Sequence, residues 1–255
     1  VFTFKRASES RKDVRQDNIM DFTKPKELAF KNRLYVFFRK YAHSAVLLYL
    51  VIYLPWFGWL ESSVTSRFHI IHMAADDVIP FVEYFIVPYL LWFLYVAAAV
   101  AYFFFKNKME YYRLCTFLFT GMTVFLIVST VYPNGHCLRP DEFARDNIFT
   151  DLVRMVYHAD TPTNLFPSIH VYNSIGVNAA VWRCENFRQK KFLRYGSLAA
   201  MISIILSTVF LKQHSVFDVI TGIVFAAFMY TLVYSKAAVR IGAAKTSFEN
   251  RVRRV

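Results

Sequence analysis

The sequence predicts an all-α fold, a polytopic membrane bundle of six transmembrane helices with both termini cytoplasmic. Three observations lead there. Apolar residues other than Gly make up 56% of the 255, above the roughly 45–50% usual for a soluble chain even with Gly counted. They are gathered into uncharged runs close to the roughly 20 residues that cross a bilayer core. The basic residues, 30 Lys and Arg against 18 Asp and Glu for a net charge of +12, fall mainly in alternate connections between those runs. So much apolar surface excludes a disordered chain. Cys115 and Cys184 lie in or beside apolar runs and Cys137 stands alone, so no disulfide framework is visible.

The first 42 residues are charged and precede a full-length span, so no signal peptide is expected. Within them Glu27 to Ala42 mixes Leu28, Phe30, Leu34, Phe37 and Phe38 with Lys31, Arg33, Arg39 and Lys40. This predicts an amphipathic helix on the inner leaflet or, equally by pattern, a helical extension of the first span. Ser44–Leu60 is the first span. Tyr84–Phe105 is uncharged for 22 residues and Leu114–Tyr132 for 19. Phe192–Leu211 holds one charge, Arg194, and Ser215–Ser235 one, Asp218. The remaining span, about Phe166 to Trp182, is more polar, with Ser168, His170, Asn173, Ser174 and Asn178. Topology requires it, and polar residues within a span usually face a bundle interior. The organisation expected is a basic cytoplasmic segment 1–42, one membrane domain 43–235 and a basic cytoplasmic tail 236–255.

Charge orients the bundle. Residues 1–42, 106–113, 183–194 and the tail from Lys236 hold 25 of the 30 basic residues. The other connections hold Arg67, Arg139, Arg145, Arg154 and Lys212. Basic residues favour the cytoplasmic side, which makes the chain a multi-pass protein of the cell membrane. Because the basic residues are dispersed over loops on one side, they need no nucleic acid to explain them.

Topology puts three polar clusters at the extracytoplasmic face: Tyr132 to Pro140, Phe166 to His170, and Ser207 to Asp218. His214 and Asp218 are four residues apart and share one helical face. A carboxylate there can hold the imidazole in the tautomer a nucleophile needs. His170 can supply a proton to a leaving oxygen. Arg139 and Lys212 can neutralise a phosphoryl group. Pro167 and Ser168 begin a helix whose free N–H groups suit an anion. Acid, nucleophile and anion clamp without a metal motif or cofactor motif point to phosphoryl transfer through a phosphohistidine.

At these residues the chain resembles the type 2 phosphatidic acid phosphatase superfamily, integral membrane lipid phosphatases and phosphotransferases with motifs K-x6-R-P, P-S-G-H and S-R-x5-H-x3-D. Here the first reads Tyr132, six residues, Arg139, Pro140. The second reads Pro167, Ser168, Ile169, His170, and the third Ser207, Thr208, five residues, His214, three residues, Asp218. The resemblance covers about residues 80–235. It implies that His214 attacks phosphorus, Asp218 orients it and His170 protonates the leaving group. It also implies that Arg139, Ser168 and Ser207 bind phosphate. Tyr132 and Thr208 stand where the motifs have Lys and Arg, so two phosphate-binding charges are missing; Lys212, one turn on, is the candidate to restore one. Ile169 in place of Gly resembles the branch containing inositol phosphorylceramide synthases.

The leading expectation is a lipid phosphate phosphatase acting on a phosphomonoester or pyrophosphate. A phosphotransferase moving a phospho-headgroup to a lipid alcohol is the second, and a catalytically inactive lipid-binding or transport relative the third. The expected partners are the bilayer and the lipid substrate, with a lipid-alcohol acceptor if transfer occurs; oligomeric state is not readable. His136 is expected to be an exposed loop residue. His69, His72, Asp76 and Asp77 read as an interfacial helix rather than a metal site. Asn147–Tyr157 is expected to form a short helix covering the site, and Asp141, Glu142, Asp146 and Asp151 a solvated face.

Overall fold

Where the sequence has its uncharged runs, the computed structural model has helices, and it describes residues 35–36, 39–64 and 67–235. The amphipathic helix expected over Glu27–Ala42 lies largely outside the described residues, and the basic tail from Lys236 wholly so. The chain divides into two units, Val1–Ser44 and Ala45–Val255, and the architecture below is that of the second.

Eight helices are described there: α1 (Tyr49–Ser63), α2 (Ala74–Val78), α3 (Ile86–Lys106), α4 (Lys108–Val131), α5 (Ile148–Ala159), α6 (Ile169–Arg183), α7 (Lys191–Phe210) and α8 (Val216–Val233). Two short strands, β1 (His69–Ile70) and β2 (Asn134–Gly135), pair in parallel. Five segments are long and apolar enough to cross a membrane: Arg39–Ser63, Glu83–Lys106, Lys108–Val131, Lys191–Phe210 and Val216–Val233. Their outward side chains, among them Val51, Ile52, Phe93, Leu94, Val224 and Phe228, are exposed, as suits a multi-pass protein whose solvent is lipid.

Local chemistry starts and stops these helices. Asn107 alone joins α3 to α4: its N–H donates to the Phe103 carbonyl (2.9 Å) and its side chain accepts from the Glu110 N–H (3.2 Å). One residue thus closes one helix and caps the next. Side-chain caps also open α5 (Asn147), α6 (Ser168) and α8 (Ser215).

The helix expected near 166–182 is α6, and it differs from the five. At 15 residues it is about 22 Å long at 1.5 Å per residue, and α3, α4, α7 and α8 all pack against it. Enclosed in this way, it buries Asn173 and Ser174 beside Val171, Tyr172 and Val177. Its contact with α4 is an interlock of rings and glycines. Tyr172 stacks on Phe117 with centroids 4.5 Å apart, and its hydroxyl donates to the Phe117 carbonyl (2.8 Å). A Cβ on Gly121 would lie 2.0 Å from the Tyr172 ring, and one on Gly176 2.4 Å from the Phe117 ring. Neither position has room for a side chain.

At one end of the bundle the connections are tied together. His69 N–H donates to Pro133 O (2.8 Å), Ile71 N–H to Gly135 O (2.7 Å), His136 N–H to Pro162 O (3.0 Å) and Asn164 N–H to Asn134 O (2.7 Å). The buried Asn134 amide oxygen accepts from the N–H groups of both Leu165 and Phe166 (2.8 and 2.9 Å). The first and second motifs are therefore clamped to each other through backbone. Two expectations are corrected here. His69 lies in a strand, stacked on Tyr132 at 4.2 Å, and only Ala74–Val78 of that loop is helical. His136 is 1% exposed rather than a loop residue in solvent, because the strand pair and the Pro162 carbonyl hold its backbone inside.

Candidate active site

The third motif turns the chain from α7 into α8. At the end of α7 the Thr208 carbonyl accepts from the N–H groups of both Gln213 (2.9 Å) and His214 (3.1 Å), which folds the loop back on the helix. Lys212 takes a left-handed conformation there (φ 51°). Ser215 then caps α8: its side chain accepts from the Phe217 N–H (3.2 Å), while the Ser215 N–H donates to Asp218 Oδ2 (3.0 Å). This capping box fixes Asp218, which is fully buried, directly behind His214. Asp218 Oδ2 lies 3.4 Å from His214 Nδ1.

On its other side His214 Nε2 meets His170 Nδ1 at 3.4 Å. His170 is the second residue of α6. Its ring sits against Tyr89 (centroids 4.8 Å apart) and Trp92 (4.4 Å), both from α3. Ser168, the α6 cap, is buried and its hydroxyl oxygen accepts from the Val171 N–H (3.4 Å). Gly222 lets α8 come close to this point, since a Cβ there would be 3.1 Å from the Ser168 carbonyl. The two histidines, Asp218 and Ser168 are thus brought together.

Arg139 joins them through a residue the motif reading passed over. Its Nη2 donates to Gln213 Oε1 (2.7 Å), next in sequence to His214, and its Nη1 to the carbonyls of Asp160 (2.8 Å) and Tyr157 (3.2 Å). The guanidinium also lies over the Tyr157 ring at 4.4 Å. Burial lowers the Arg139 pKa, opposed by the nearby Asp160 carboxylate. α5, found as expected after an Asn147 cap, supplies Tyr157, whose hydroxyl donates to the Leu211 carbonyl (2.6 Å). Asp146 and Asp151 are exposed and pair with Arg154 (2.8 and 2.7 Å).

The other motif positions face elsewhere. Lys212 Nζ donates to the carbonyls of Asp76 and Ile79, both at 2.6 Å, which engages two of its three donors away from the histidines. Thr208 and Ser207 donate to carbonyls of their own helix, Ile205 (2.7 Å) and Ile204 (2.6 Å). Tyr132 is 45% exposed and stacked on His69. Arg139 is the guanidinium that stays with the histidine pair.

Several residues join the site only in three dimensions. The buried Asp76 accepts from Ser215 Oγ (2.6 Å) and the Val216 N–H (2.7 Å), bracing the start of α8. Glu61, at the end of α1, accepts from Thr161 Oγ1 (2.6 Å) and Asn164 Nδ2 (3.1 Å). Burial drives the His136 imidazole down to about 4; His214 and Arg139 push it the same way. His136 Nε2, Arg139 Nε, Gln213 Nε2, His214 Nδ1 and Asp218 Oδ1 are buried without a hydrogen-bond partner in the protein. Such atoms are rare in folded chains, and here five belong to one cluster. The Arg139 and Gln213 groups among them are donors of the kind anionic oxygens take up.

Arg139 also lines two recesses, a polar one of about 590 Å³ with Glu142, Arg154 and Tyr157, and a mixed one of about 550 Å³ with His136, Phe68 and Thr163. Trp92, against His170, is at the same time part of an apolar groove of about 520 Å³ with Phe93, Val96, Val100 and Phe119. Among the described residues no group of His, Cys, Asp and Glu is arranged to hold a metal ion.

No curated protein and no solved structure matches the chain. The family model of the PAP2 superfamily matches residues 137–241, a segment that begins after Tyr132 and includes Arg139, Ser168, His170, His214 and Asp218. That match covers the residues that form the site and is consistent with a member of the type 2 phosphatidic acid phosphatase superfamily.

Proposed function

We propose that the chain is a lipid phosphate phosphatase working through a phosphohistidine on His214, at the extracytoplasmic face of a six-span bundle with both termini inside. The PAP2 match supports phosphatase- or phosphotransferase-type activity on lipid phosphates in general. The observation that carries the finer reading is the His170–His214–Asp218 row, 3.4 Å at each step with His214 and Asp218 buried, beside the Arg139 guanidinium. The sixth span in this reading is α6, short because the other helices rather than lipid surround it.

In the first step His214 Nε2 bonds to phosphorus as the bond to the leaving oxygen breaks, and His170 gives that oxygen a proton. Asp218 holds the Nδ1 proton of His214 and stabilises the positive ring. In the second step His170 takes a proton from water, the water oxygen bonds to phosphorus, and the N–P bond breaks to release phosphate and restore His214. Arg139 and Gln213 hold the phosphate oxygens. In-line displacement needs about 3 Å from nucleophile to phosphorus and about 3 Å again from leaving oxygen to acid. The imidazole nitrogens at 3.4 Å must therefore part when substrate enters.

A second reading is transfer of a phospho-headgroup to a lipid alcohol. The cation count favours it: with Lys212 engaged by carbonyls and Thr208 and Tyr132 turned away, one guanidinium faces the phosphate. A singly charged phosphodiester suits such a site better than a dianion.

The test is to incubate purified protein with a panel of lipid phosphates and phospholipids, with and without a lipid alcohol, following free phosphate and new lipid. Phosphate release that vanishes in His214→Ala supports hydrolysis, and new phospholipid that appears only with acceptor supports transfer. Neither product, under conditions where lipid still binds, overturns both. The steps as drawn use imidazoles only, so a chelator should leave turnover unchanged.

A further inference from the structure

Asp160 is a carboxylate at this site that neither the motifs nor the steps above use. It closes α5, its N–H donating to the Val156 carbonyl (2.9 Å), and its own carbonyl holds Arg139. Its side chain is partly buried. Among the described residues that side chain takes one long hydrogen bond, from Tyr89 Oη at 3.5 Å, and no ion pair. Tyr89 is the residue stacked on His170. The carboxylate thus looks onto the same space as Arg139 and the imidazole pair.

The charged and titratable groups facing it come from every neighbouring element. They are Glu61 and Tyr53 from α1, Tyr89 from α3, Arg139 from the loop after α4, and His214 from the α7–α8 turn. Burial, followed by the Glu61 carboxylate, pushes the Asp160 carboxyl up to about 6, against the pull of Arg139 and His214. Two carboxylates and one guanidinium beside a phosphate position leave little net positive charge for a dianion.

Resting on the reading of this pocket as a phosphate site, we propose that Asp160 is a specificity-determining residue: protonated, it admits a doubly charged phosphate group beside Arg139, and ionised, it excludes one. A singly charged phosphodiester is then accepted over a wider pH range than a phosphomonoester. The effect is one of charge alone, so Asp160→Asn, which keeps the shape and the partner of Tyr89, should remove it.

The probe is inorganic sulfate, doubly charged throughout the range, titrated into full-length protein in detergent at about pH 5 and about pH 7.5, either side of the carboxyl's range. Wild type should lose affinity between the two by about tenfold more than Asp160→Asn, since the histidines contribute equally to both. At the higher pH the variant should also show about a tenfold rise in the ratio of monoester to diester kcat/KM. Parallel losses of affinity in the two proteins, or no sulfate binding by wild type, overturn the proposal. Should Asp160→Asn not fold, the carboxyl resonance of isotope-labelled Asp160 in wild type decides: sulfate should raise its titration midpoint, and an unmoved midpoint overturns the idea. His214→Ala separates the two layers. Sulfate behaving as expected with no His214-dependent turnover of any lipid supports the charge filter and removes the proposed chemistry. Turnover lost in His214→Ala, with superimposable pH profiles for wild type and Asp160→Asn, removes the filter alone.

Discussion

Two neighbouring helices, α6 and α3, touch the same imidazole and are built in opposite ways. α3 runs 21 residues, carries one charge, Lys106 in its last turn, and turns Phe93 and Leu94 outward. α6 runs 15, is enclosed by four helices, and carries His170, Asn173 and Ser174. α3 meets His170 with the faces of Tyr89 and Trp92, which shield it, while α6 carries the imidazole itself. In a bundle solvated by lipid, polar side chains are least costly on the helix with the least lipid contact, and α6 carries His170, Asn173 and Ser174 there. α3 presents apolar bulk along its length, and α6 close fit and polar side chains.

Substitutions should divide along that line. The largest effect is expected at the imidazole row. His214→Ala should cut turnover by about 10⁴-fold or more while leaving the fold intact, checked by phosphate release or new-lipid formation together with a thermal melt. Retained turnover would move the nucleophile elsewhere.

Next is the buried His136 on the connection that joins the row to Arg139. Its folded pKa lies below the ordinary value, so its contribution to stability is present above about 6.5 and is lost as pH falls through about 4. The loss should amount to about 3 kcal/mol at most, visible as a falling melting temperature that His136→Asn flattens. A melting temperature in the variant that falls as steeply as in wild type would assign the acid sensitivity to another group. Asp160 runs the other way: its raised pKa contributes stability below about 3.8 that is lost as pH rises through about 6.

Third is the α4–α6 interlock. Gly121→Ala places a methyl 2.0 Å from the Tyr172 ring and should cost about 1–3 kcal/mol in a detergent melt. An unchanged melt would mean that α6 shifts freely, against the contrast drawn above. The smallest effect belongs to α3: Phe93→Leu, at an exposed position, should stay within about 0.5 kcal/mol. A larger loss in the same melt would show a partner on that face.

Much of this was legible in the chain. The uncharged runs became α1, α3, α4, α7 and α8, because apolar length is a local property that a bilayer reads directly. The short helix expected over Asn147–Tyr157 is α5, and its Asn147 cap is what the structure added. His214 and Asp218 came out adjacent as their spacing suggested, but not on one helical face: His214 precedes the Ser215 cap, and the capping box holds Asp218 behind it. The N-terminus of the polar helix was visible in Pro167-Ser168, although Ser168 caps α6 rather than lying within it. What could not be read was every contact made across the chain. Lys212 looked like a restored phosphate ligand by position, and its ammonium binds two carbonyls more than 130 residues away. Gln213, Asp160 and His136 carry no spacing signal, because their roles depend on which loops meet.

The sequence by itself determined that the chain crosses a membrane through helices, and which short segments hold imidazole, carboxylate and guanidinium. Charge, hydropathy and helical period act over a few residues, so a linear reading captures them. Only the tertiary structure decided which cations reach the site, which carboxylates crowd it, and how deeply the imidazoles are buried. Arg139 and Gln213 are 74 residues apart, and a hydrogen bond at that separation is set by the packing of whole helices. The electrostatics of the pocket belong to the fold.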